Sequence, residues 1–112
     1  MQWSMWHGDR FPADRTVEVG GDVVACTVTR DLFSTDEEQV TPMDPLPCPI
    51  TIAWSEKDTL IPLTPYGELA HQRLPQATFT VLPDVGHVPM IDDPELVERT
   101  ILMTTGAGMP QP

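Results

Sequence analysis

Pro49-Ile50-Thr51-Ile52-Ala53-Trp54-Ser55-Glu56-Lys57-Asp58 is the stretch on which the fold turns. A β-branched, apolar run follows a proline and ends in a polar turn, the pattern of a short strand, and its continuous apolar character predicts burial on both faces. Downstream, residues 64–74 space Tyr66, Leu69, Ala70 and Leu74 at helical intervals, with Thr64 as N-cap and Pro65 at the first helical position. Thr78-Phe79-Thr80-Val81-Leu82 is a second β-rich run. Residues 94 to about 103 then carry Leu96, Val97, Ile101 and Leu102 as an apolar stripe, behind Asp93 as cap and Pro94 in the first turn. Strand, helix, strand, helix in this order predicts βαβ connectivity and a parallel sheet, hence an α/β fold.

In open parallel sheets, ligands sit beyond the carboxyl ends of the strands. Those positions are Ser55-Glu56-Lys57-Asp58 after the first run and Pro83-Asp84-Val85-Gly86-His87 after the second. A crossover connection returns the chain to the same edge, so the two loops emerge on one side and Asp58 and His87 can become neighbours. A carboxylate that accepts a hydrogen bond from one imidazole nitrogen fixes the tautomer and leaves the other nitrogen free to take a proton from a hydroxyl. The plainer alternatives are a turn aspartate and a loop histidine with no chemistry. Glu56 and Lys57 read as solvated loop charges, and Gly86 as a residue whose missing Cβ permits a tight turn beside the histidine.

From about residue 46 to 105 the chain resembles the α/β-hydrolase fold enzymes. Cys48 to Asp58 is similar to the strand leading to the triad acid, and Leu74-Pro75-Gln76-Ala77 to the turn into the last strand. Leu82-Pro83-Asp84-Val85-Gly86-His87-Val88-Pro89-Met90, continuing into Asp92-Asp93-Pro94, is similar to the triad-histidine loop and final helix. Ser55 departs from the glycine common at that place. The resemblance implies that Asp58 is the triad acid and His87 the base, in enzymes that hydrolyse esters or related bonds of small molecules without a cofactor.

The nucleophile elbow of that fold is a Gly-x-Ser-x-Gly-like turn between strand and helix, upstream of the acid and histidine. Ser4, Ser34 and Ser55 lack the flanking glycines, and Gly20-Gly21-Asp22 lacks the strand–helix setting. The expectation is therefore a truncated, C-terminal portion of a hydrolase, inactive in isolation. A noncatalytic remnant or interaction module is the alternative, since an unpaired edge on the first strand invites self-association or pairing with another chain.

Upstream of the deciding stretch the pattern loosens. Residues 1–45 are expected to be an irregular segment, a cap-domain remnant and linker, with Val17, Val19, Val23, Val24 and Val28 hinting at short strands or a weak helix and Gly20-Gly21 breaking any continuous element. The acidic Asp36-Glu37-Glu38 and the proline-rich run from Thr41 to Pro47 read as a solvated boundary. Residues 106–112, rich in glycine and proline, read as a flexible tail.

Charge excludes more than it identifies. Six basic against seventeen acidic residues, a formal −11, would repel phosphate backbones and anionic lipid, so neither nucleic acid nor a membrane surface is an expected partner. His7, His71 and His87 share no metal-ligand spacing, and no metal is expected. Two cysteines without a secretory leader fit reduced thiols in a cytoplasmic setting, and no apolar stretch is long enough to span a bilayer.

Overall fold

The computed structural model describes residues 5–28 and 45–106. Two strands form among them, β1 (Thr51–Ser55) and β2 (Thr78–Leu82), parallel and in the register Thr51 to Thr78 through Ser55 to Leu82. Backbone bonds outside the strands extend the ladder at both ends: Thr78 N–H donates to Ile50 O, and Glu56 N–H to Leu82 O, each at 2.9 Å. The connection between the strands is a wide helical turn, Leu63–Gly67, leading into α2 (Glu68–Arg73), numbered after the upstream helix α1 (Ala13–Ala25). Behind β2 come a short α3 (Pro89–Asp92) and α4 (Pro94–Thr105).

Local chemistry accounts for these boundaries. Thr64 keeps extended dihedrals (φ −105°, ψ 118°), so the helical path starts at Pro65, where a fixed φ and a missing N–H suit a first turn. The Thr64 hydroxyl is 2.7 Å from Glu68 Oε1 rather than bonded to a helix amide. Asp93 caps α4 by accepting the Leu96 amide at 2.9 Å, and Gly106 closes it at φ 72°, a left-handed position that glycine adopts without a Cβ clash.

Besides the Thr64 cap, two expectations need correction. Gly20-Gly21 does not break the chain, for α1 runs through both; glycine weakens a helix by roughly 1 kcal/mol relative to alanine but keeps the backbone donor that continues the ladder. The first strand is not buried on both faces: Ala53 is exposed, and Val81, the β2 partner of Trp54, is 40% exposed. Burial of both faces requires layers on either side of the sheet, and the described residues hold two strands only. The amphipathic faces are also partly open, with Tyr66, Leu69, Ile101 and Leu102 exposed.

Apart from Ala77, which directly precedes β2, what is buried among the described residues gathers toward the carboxyl end of the sheet. Met5, Ala77, Leu82 and Val85 are the buried apolar residues, and Ser55 and Asp92 the buried polar ones. Cys26 and Cys48 are exposed and not joined by a disulfide. Asp36-Glu37-Glu38, Thr41 to Asp44, Ser4, Ser34 and the tail beyond Gly106 lie outside the described residues.

Candidate active site

Asp58 stands in the turn that follows β1. Its Oδ1 accepts the amides of Leu60 at 2.9 Å and Ile61 at 2.8 Å, closing the turn through a side chain, which is what a short carboxylate does well. This leaves Oδ2 free for a long-range partner, and His87 Nδ1 lies 2.9 Å from it, 29 residues along the chain. The Asp58 side chain is 8% exposed and that of His87 33% exposed. With Nδ1 carrying the proton toward the carboxylate, Nε2 is a bare acceptor, the state a general base requires.

The backbone brings the two loops together before the side chains meet. Glu56 N–H reaches Leu82 O, and Lys57 N–H reaches Val85 O at 2.9 Å, so the residue before Asp58 is tied to the residue two before His87. Glu56 adds a third tie, its Oε2 accepting the Asp84 amide at 2.9 Å while Lys57 Nζ lies 3.5 Å away. That amide, and then the lysine charge, hold the Glu56 carboxyl below its ordinary value. Glu56 is exposed, as a solvated loop charge should be, yet it bridges the loops. Asp84 sits at φ 56°, a left-handed conformation that aspartate tolerates better than most residues, and this turns the chain toward the histidine.

Gly86 does not occupy that left-handed region; its missing Cβ matters through space. A Cβ there would lie 2.7 Å from the Trp6 nitrogen and 3.2 Å from Asp92 Oδ2. Asp92 is fully buried, and its carboxylate accepts three amides: Gly86 at 2.7 Å and Trp6 at 2.9 Å on Oδ2, and His7 at 2.7 Å on Oδ1. Burial pushes this carboxyl up, but the bonds from Gly86, His7 and Trp6 outweigh it and hold the group below its ordinary value. The Arg10 guanidinium donates to the Asp92 carbonyl, and His7 Nε2 lies 3.2 Å from Asp84 Oδ2.

Sequence reasoning brought Asp58 and His87 to one sheet edge, and the structure joins them. It missed Asp92 and the Met5 to Arg10 segment. The only sequence signal for Asp92 was a charge directly after the apolar Val88-Pro89-Met90-Ile91, and the neighbouring Asp93 cap masked it. His71 is a packing residue on α2, its ring stacked on Phe79 at 4.9 Å between centroids. Among the described residues, no three His, Cys, Asp or Glu side chains converge as a metal site, and no helix is long and apolar enough to cross a membrane.

No curated protein and no solved structure matches the chain. A family model described as the alpha/beta hydrolase family matches residues 2–100, so the likeness reaches well upstream of residue 46 and includes α1 and the segment that meets Asp92. A parallel pair of strands with flanking helices agrees with that match, and the chain belongs to the alpha/beta hydrolase family.

Proposed function

We propose that Asp58 and His87 are the acid and base of a hydrolytic triad acting on an ester-like bond of a small molecule, with the nucleophile supplied from outside the segments recognisable here. The bond of 2.9 Å between His87 Nδ1 and Asp58 Oδ2, formed where two parallel strands end, carries this reading. His87 Nε2 takes the proton of the attacking hydroxyl as its oxygen bonds to the substrate carbonyl. Asp58 stabilises the imidazolium so formed. The same proton then passes to the leaving group as the scissile bond breaks, and water repeats the sequence to release the acyl product.

None of the 112 residues reads as a Gly-x-Ser-x-Gly elbow, and with no elbow there is no recognisable oxyanion hole, a large part of the rate in such enzymes. The purified chain should therefore show no His87-dependent hydrolysis of a p-nitrophenyl ester. Joined to an upstream segment that encodes strand, elbow and helix, it should turn over, and both His87→Ala and Asp58→Asn should abolish the gain. Turnover by the chain alone that is lost in His87→Ala would overturn the need for an outside nucleophile. A joined enzyme indifferent to both substitutions would overturn the triad.

One observation favours a second reading, an interaction module. β1 has a single neighbour among the described residues, which leaves its other edge without a strand partner among them, and Ala53 on this strand is exposed.

A further inference from the structure

Asp92 is the most deeply buried charged group among the described residues, and none of the proposed proton transfers uses it. Its partners lie on two segments about 80 residues apart: Gly86, directly before His87, and the Trp6–His7 pair. The backbone leading to the imidazole is thus held from two directions. On one side Val85 O accepts the amide of Lys57, which adjoins Asp58; on the other Gly86 donates to Asp92. Val85 is 1% exposed, so this stretch has little room to shift. A hydrogen bond between Asp58 and His87 needs the ring held to within a few tenths of an ångström, and such precision comes from groups that lock the supporting backbone.

We infer that Asp92 is a positioning residue for His87, its carboxylate gathering the Gly86, Trp6 and His7 amides so that the imidazole stands in register with Asp58. The inference rests on the reading of Asp58 and His87 as acid and base. Its chemistry is that of an anion in a cup of backbone donors, where three N–H groups compensate the burial of one charge. An asparagine would turn an amide group toward donors and leave at least one of them unsatisfied. The closeness of Gly86 makes a second, independent lever, since a methyl group there presses on the Trp6 nitrogen and the Asp92 oxygen while leaving the carboxylate intact.

The test is long-range imidazole nitrogen NMR on the isotopically labelled 112-residue chain, read beside the backbone amide spectrum. In the unmodified chain, His87 should show a single Nδ1–H tautomer that Asp58→Asn converts to a mixture. Asp92→Asn and Gly86→Ala should each produce the same loss, while the amide signals of Trp54 and Val81 in the sheet stay in place. If one variant unfolds, the other decides. An unchanged His87 tautomer in either folded variant, or loss of the sheet signals in both, would overturn the inference; the latter outcome would make Asp92 a residue that holds the fold rather than the ring. A mixed tautomer already present in the unmodified chain and unaffected by Asp58→Asn would instead sink the acid–base reading, and the inference with it.

Discussion

Asp58 and His87 meet through one carboxylate oxygen because the other is already engaged locally. Oδ1 of Asp58 holds the Leu60 and Ile61 amides, and Oδ2 meets His87 Nδ1 at 2.9 Å. The local bonds hold the carboxylate from within its own loop, which lowers the cost of orienting the pair. The two roles are separable by substitution.

Asp58→Asn keeps an oxygen for the turn amides but offers the imidazole the wrong group. The fold should survive, and in a nucleophile-complete enzyme kcat should fall on the order of 10⁴-fold through the wrong tautomer. Asp58→Ala removes the turn acceptor as well and should cost a further ~1–2 kcal/mol of stability. Urea unfolding of the two variants, set beside their ester hydrolysis, checks both effects. Equal stability of the alanine and asparagine variants would contradict the separate roles of the two oxygens.

Asp92 should make the chain acid-sensitive in a defined window. Its folded pKa lies below its ordinary value, because the three amides, with a smaller contribution from nearby His7, outweigh burial. The unfolded chain therefore takes up this proton first. The stabilisation is complete above the unfolded value of about 4 and is lost as pH falls through the folded value. Urea midpoints measured downward from pH 6 should drop below about pH 4, and Asp92→Asn should flatten part of that drop while lowering stability at pH 7 by ~2 kcal/mol, the scale of leaving a buried donor unmatched. An identical acid profile in the variant would remove Asp92 from the account.

The glycines should divide by what surrounds them rather than by type. Gly67 has no space for a side chain: a Cβ would lie 2.7 Å from Leu63 Cδ1 and 2.9 Å from the Trp54 ring. That ring is pinned by its Nε1–H donating to Ile61 O at 3.1 Å, so it cannot easily retreat. Gly67→Ala should cost ~1–3 kcal/mol. Gly20 and Gly21 have nothing within 4 Å, and alanine at either should raise the helicity of α1 and stabilise it by ~0.5–1 kcal/mol. Circular dichroism and urea unfolding of the three variants test the sign of each change.

The same contrast explains what the sequence could disclose. The pairing of Asp58 with His87 and the Asp93 cap were legible because their places follow from local order: a residue just past a strand, or just before a proline-led helix. The role of Asp92 depends on amides 85 and 86 residues away, and such a contact leaves no periodicity to read. Burial of β1 was overstated for a related reason. A run of apolar side chains records suitability for a covered sheet, whereas the cover itself comes from other elements. The helix through Gly20-Gly21 shows the converse, a local breaker signal too weak to end a ladder of 13 residues.

The edge of β1 that has no strand partner among the described residues yields the last prediction. Ile50 O and Glu56 N–H face β2, so by the alternation of a parallel ladder the amides of Thr51, Ala53 and Ser55 turn to the opposite edge. If the chain associates through that edge, its sedimentation coefficient should rise with concentration, and Ala53→Pro should suppress the rise, because proline removes one edge donor and is tolerated at strand edges. Ala53 is exposed, which makes loss of packing a minor effect. The bonds from β1 to β2 use the other residues and should persist, so the sheet's circular dichroism should hold. Association that is unchanged by proline would move the interface to another face, such as the exposed Ile101 and Leu102 of α4, where a charged substitution would then be the effective one.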